Sequence, residues 1–298
     1  MNNFYWPVYK HLENELLELT YQIHFDDRQL SVYSTKLVDL LLRTSVEVES
    51  IAKELYLKNN GELIKDRDLY FDTDCMKHIN NLWNICEKEV SIIALNTFFT
   101  DINKTFKPLK NTCKRGKSKW IRAYQDVKHD RSKKLEKATL KNCILALGSL
   151  YILNLYLLDN NYIKNLTLDN FGSHFFSPKQ KYVSFEMPSG KYVNNYDDCI
   201  FLQVYSNSIY NEALKQCVKE GEIMAKAMLE SKEYKQFLIE NPTYSFENKN
   251  IVGICLDIGG IEYARKIRKC CPPLVSNIIK SPTHIVLNKN QQIYTKEF

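Results

Sequence analysis

The chain has 298 residues, a formal net charge of +6, 44% hydrophobic and 12% aromatic residues, a composition that excludes a disordered chain and can bury a sizeable core in one large domain or two. It has no run of eighteen apolar residues and no basic leader ahead of an apolar stretch, so neither a membrane span nor a secretion signal is expected. Nine scattered cysteines without a CxxC, and histidines that never cluster at ligand spacing, exclude a disulfide framework, a metal centre and a cofactor from the expectations and point to free thiols in the cytoplasm.

In chain order, His11 to Leu19 has helical spacing, with Leu12, Leu16 and Leu19 turned inward. Tyr21 to Phe25 alternates, Asp26-Asp27 makes a turn, and Leu30 to Tyr33 is expected to return as a second strand. Ser34 caps a long amphipathic helix to about Leu57, whose seam is Leu37, Leu41, Val48, Ile51 and Leu55 and whose stop is Asn59-Asn60-Gly61. Asp72 is expected to cap another helix through Trp83 to about Cys86, while Val90 to Phe99 fits either a strand or a buried helix. Phe106 to Ser118 holds Pro108, Gly116 and five Lys/Arg, and is read as a mobile basic loop. A helix from Lys119 to about Arg131 follows, then a long apolar one from about Lys133 to Leu158.

After Asp159 the segments shorten. A strand is expected near Tyr182–Phe185, a helix from Ser208 to Glu240 with Gly221 as its weak point, and a strand over Ile251–Asp257 ending in a turn at Gly259-Gly260. Thr283–Leu287 and Gln292–Tyr294 then read as a hairpin around Asn288-Lys-Asn290. The fold class is α+β, mainly α: a helical domain over residues 1–160 with short β-hairpins, and a mixed α/β region over 161–298.

Charge is unevenly spread. Lys104 to Lys137 holds 13 Lys and Arg against Asp126, Asp130 and Glu136, a net +10 that leaves −4 for the rest of the chain. Such concentration is the footprint of a nucleic-acid partner, or else of a solvated basic face. Within it, Lys119-Trp-Ile-Arg-Ala-Tyr-Gln-Asp-Val-Lys-His-Asp-Arg131 reads as one helix with two faces. At about 100° per residue, Trp120, Tyr124 and Val127 form a packing stripe, and Arg122, Asp126 and His129 point almost the opposite way. Arg122 and His129 stack about 10 Å apart on that face. A cation, a carboxylate and an imidazole together suit phosphate acid–base chemistry. Lys114, Arg115, Lys117, Lys119, Lys128 and Arg131 are the candidate phosphate contacts, and Glu47 and Glu49 on the long first helix are candidate accessory acids. No Walker loop and no G-x-S-x-G elbow offers a rival chemistry.

The Arg122…His129 spacing, the wording Tyr124-Gln-Asp-Val-Lys-His-Asp-Arg131 with Ala138-Thr-Leu-Lys-Asn142 and Ala146-Leu-Gly148 after it, and the flanking long helices resemble the HEPN superfamily of prokaryotic toxin–antitoxin, abortive-infection and CRISPR-associated systems. The resemblance spans roughly residues 34 to 158 and is most specific from 120 to 158. It implies an HEPN-like helical bundle and metal-independent RNA cleavage that leaves a 2′,3′-cyclic phosphate and a 5′-hydroxyl, with Arg122, His129 and Asp126 as the catalytic set. It also implies a homodimer whose motifs meet, and an antitoxin or regulatory protein as partner. Catalytic members often carry a polar residue after the arginine, where this chain has Ala123. The alternative is a non-catalytic module of the same fold that binds RNA, a nucleotide or a protein.

Overall fold

In the computed structural model, which describes residues 4–158, 172–184, 197–205, 207–247, 249–270 and 284–289, the chain is mainly helical with a few short strands. Helix α1 (Tyr5–Leu19) buries Leu12, Leu16 and Leu19, the inward set that the spacing predicts, and adds Tyr9 to them. Ser34 caps α2 (Thr35–Lys58) by accepting from the Leu37 amide at 3.2 Å, and Leu37, Leu41, Val48, Ile51 and Leu55 all lie in the core. The helix stops where Asn60 takes a positive φ of 63°.

Between them the expected hairpin does not form. Phe25–Asp26 (β1) pairs in parallel with Thr97–Phe98 (β3), because the Asp26 carboxylate folds back to cap a tight turn at Arg28 and Gln29. Asp72 does not cap a helix either. A π-helical turn, Phe71–Met76, leads into α3 (Lys77–Trp83), and Asp74 is the residue that accepts from the Tyr70 amide. The ambiguous stretch resolves as strand: Val90–Ile92 (β2) lies between Thr105–Phe106 (β4) and Phe176–Pro178 (β5), antiparallel to both. A single turn, α4 (Asp101–Lys104), precedes β4.

Helix α5 (Lys119–His129) is followed by one short turn, α6 (Arg131–Lys134), and not by a long helix from Lys133. Helix α7 (Leu140–Leu157) starts afresh where Thr139 accepts from the Asn142 amide and Tyr33 bridges to Thr139. By length and composition α7 could cross a membrane, yet its side chains are used by the core from Leu140 to Tyr156. It packs most extensively on α2, with α1 and α5 each set against both helices.

Residues past 160 complete this core. Glu13, fully buried on α1, accepts from Tyr9 Oη at 2.7 Å, from the backbone amides of His174 and Phe175 at 3.0 and 3.1 Å, and from Ser173 Oγ and Lys10 Nζ. It thereby draws Phe175 and Phe176 inside. Strands β6 (Gln180–Ser184), β7 (Phe201–Tyr205) and β8 (His284–Leu287) form a third sheet in that order, and Ile200, Phe201 and Leu287 join the same core. The first compact unit therefore comprises residues 1–183, 187–203 and 284–298, not residues 1–160, because its apolar surface is covered by later segments.

The second unit is centred on residues 204–283. Helices α8 (Asn207–Glu230), α9 (Lys232–Glu240) and α10 (Ile251–Arg268) enclose Met224, Met228, Ile254, Cys255, Tyr263 and Ile267. The break between α8 and α9 falls at Ser231, which caps Tyr234, and not at Gly221. The strand expected over Ile251–Asp257 is helix. A short apolar run cannot separate the two by itself, and here Asn250 caps Gly253 at 2.8 Å and starts α10. Gly259-Gly260, read as a turn, is a kink inside that helix. The hairpin partner Gln292–Tyr294 lies outside the described residues.

Candidate functional site

Helix α5 carries the two faces read from its sequence. Trp120, Tyr124 and Val127 are buried with Ala123, whereas Arg122, Asp126 and His129 are exposed. The helix is anchored by Trp120, whose indole N–H donates to the Pro108 carbonyl at 3.1 Å. That bond also ties down the preceding basic segment. Leu109 and Thr112 are buried, Thr112 Oγ1 donates to the Leu109 carbonyl at 2.8 Å, and positive φ at Asn111 and Gly116 closes successive turns. The segment expected to be mobile is thus a folded series of turns, with Lys114, Arg115, Lys117 and Lys119 exposed.

A cleft of about 980 Å³ opens beside this helix. Arg122, Asp126, Ile121 and Gln125 of α5 line it, together with Glu49, Ser50 and Lys53 of α2, Arg115-Gly116 of the turns, and Leu69, Tyr70, Phe71, Asp72 and Cys75. The structure therefore brings Arg122, Asp126 and Arg115 together and adds Glu49 to them. His129 lies outside the lining, seven residues and about 10 Å along the axis from Arg122. Among the described residues, Arg122, Asp126 and His129 form no ion pair with one another or with a neighbour, so Asp126 does not clamp either partner.

The remaining candidates divide. Lys128 Nζ stands 5.2 Å over the Tyr124 ring, and Arg131 is held by Asp39 of α2 at 2.6 Å, so both are engaged within the chain. Glu49 is half-buried and receives the Tyr124 hydroxyl at 3.3 Å. Burial raises the proton affinity of its carboxyl, a shift that nearby Lys128 and the Tyr124 bond partly offset. Burial raises that of Glu47 too, but Glu47 does not line the cleft.

Sequence reasoning missed Lys53, Tyr70 and Phe71. Lys53 follows Glu49 by one turn and shares its face, which helical phase alone could have indicated. Tyr70 had no such signal: the Arg67 and Arg115 guanidiniums lie 4.3 and 5.6 Å from its ring centre, an arrangement built by a segment without periodicity. Among the described residues, no group of His, Cys, Asp and Glu is placed to hold a metal ion. No protein-family model, curated protein or solved structure matches the chain.

Proposed function

We propose that the first unit is an HEPN-type, metal-independent RNA endonuclease acting in the cytoplasm as a toxin or in phage defence. The observation that carries the reading is the cleft, in which Arg122 opens beside Arg115 and Lys53 at the edge of the most basic part of the chain. Its guanidinium can grip a phosphate by two hydrogen bonds and steady the charge that develops on phosphorus oxygens. The ribose 2′-oxygen attacks the adjacent phosphorus, the bond to the 5′-oxygen breaks, and a 2′,3′-cyclic phosphate and a 5′-hydroxyl result. His129 transfers a proton at the reacting oxygens. Its position beyond the cleft suits a homodimer in which it meets a phosphate held by Arg122 of a second copy. An antitoxin or regulatory protein is the partner that would restrain such an activity.

A second reading, a non-catalytic module binding RNA, a nucleotide or a protein, draws support from Ala123. It directly follows Arg122, is 5% exposed and faces the core, so it offers no polar group to a substrate. The deciding experiment incubates wild type, Arg122→Ala and His129→Ala proteins with total RNA and tRNA in EDTA, followed by end-group analysis. The nuclease reading expects cleavage by wild type alone, with 5′-hydroxyl ends. Salt-sensitive RNA binding without cleavage would establish the binding module instead.

A further inference from the structure

Transesterification at phosphorus needs two proton transfers, one off the 2′-hydroxyl and one onto the departing 5′-oxygen, and His129 supplies only one of them. We propose that Glu49 of α2 is the base that takes the proton from the 2′-hydroxyl, an assignment that rests on the ribonuclease reading above. Glu49 lines the same cleft as Arg122, and α2 and α5, the helices that carry them, pack on each other. The Tyr124 hydroxyl donates to its Oε2 at 3.3 Å, so the carboxylate is oriented by a side chain that is itself buried.

The other carboxylates of the cleft are less suited. Asp72 accepts from the Thr73 amide at 2.8 Å within its own turn, and Asp126 is exposed to water. Half-burial makes Glu49 a stronger base than a solvated carboxylate. The charged and titratable groups around it are Lys53 on its own helix, Lys128, Arg122 and Asp126 on α5, Arg115, and Asp72 and Cys75. In the step, Glu49 takes the proton as the 2′-oxygen bonds to phosphorus. The bond to the 5′-oxygen breaks with its electron pair, and that oxygen takes a proton from the His129 imidazolium. Glu49 then gives its proton to water.

The test is single-turnover cleavage by the full chain, using an RNA that wild type cuts, across pH 5 to 9, with RNA binding measured alongside. Glu49→Gln should lose about 100-fold or more in rate while still binding RNA, because a neutral amide cannot accept the proton. Glu49→Asp should recover part of the rate. Tyr124→Phe removes a hydrogen bond that favours the charged carboxylate, so the acid limb of the profile should move to higher pH. Glu49→Gln cleaving at the wild-type rate with the acid limb in place overturns the assignment and leaves the nuclease reading standing. Loss of binding along with cleavage also overturns it, by making Glu49 a binding group. Wild type that cuts no RNA overturns the assignment and the nuclease reading together.

Discussion

Lys88 is 1% exposed, and its ammonium donates to the Asp197 carbonyl at 2.8 Å. Burial lowers its pKa to about 8, with Asp197, Cys199 and Asp198 opposing the shift. The folded state therefore binds the proton less tightly than the unfolded chain, and stability rises with pH from about 8 towards the free-lysine value. Urea unfolding should show a gain of about 2 kcal/mol between pH 7.5 and 9.5. Lys88→Met should abolish that slope, and a slope that survives the substitution would assign it to other groups. On α5, Trp120→Ala should cost about 3–5 kcal/mol, whereas His129→Ala should stay within about 0.5 kcal/mol, because one removes core and the other a solvated ring. Helical phase was enough to tell these two residues apart. It could not reveal Glu13, whose partners at 173–175 stand some 160 residues later in the chain, nor the Arg131–Asp39 pair. Long-range polar partners leave no local pattern.

At the scale of elements, the sequence was most legible where a capping side chain and an apolar stripe agreed. Ser34 and the seam of α2 are the clearest case. It misled where one signal stood alone. The apolar run at Ile251 suggested a strand, and the expected helix from Lys133 ignored the cap at Thr139. Glycine supplied the third error. Gly221 sits inside α8 with only Ile251 Cδ1, at 3.9 Å, near the place a Cβ would take, so nothing in its surroundings requires glycine. Gly221→Ala should stabilise the second unit by about 0.5–1 kcal/mol through the lost backbone freedom of the unfolded chain. Gly260 lies at a φ of +64°, where alanine is strained, and Gly260→Ala should destabilise by about 1 kcal/mol or more. Thermal melts of the two variants should shift in opposite directions. Equal shifts would contradict this account of the kink.

Across the whole molecule, the candidate site was legible as a helix face and a charged segment, but not as a cleft. Arg115 and Arg122 are close in sequence, yet Glu49, Lys53 and Tyr70 reach the same space from other elements, and only the packing of α2 on α5 brings them there. The charge imbalance gives a prediction at this scale. Lys114, Lys117 and Lys119 are exposed, and among the described residues they form no ion pair. Replacing all three by alanine should lower the salt slope of RNA binding by about 2, following roughly 0.7 per lost single-strand phosphate contact. Lys107 is held by Glu87 at 2.6 Å, so Lys107→Ala should leave that slope nearly unchanged. A slope that ignores the triple variant would place the RNA elsewhere.

The order in which the first unit draws its parts from the chain has a consequence for synthesis. Asn288 is buried, accepts the Tyr156 hydroxyl at 2.9 Å and donates to the Cys199 carbonyl at 3.1 Å, and β8 supplies the last strand of the third sheet. A ribosome that has translated α5 and its basic face is still more than 150 residues short of the segment that closes this core. The nascent protein must therefore carry its most basic surface, unfinished, in a place crowded with RNA. Under the proposed chemistry, late closure delays a fully assembled nuclease until translation has passed residue 289 and that segment has cleared the exit tunnel.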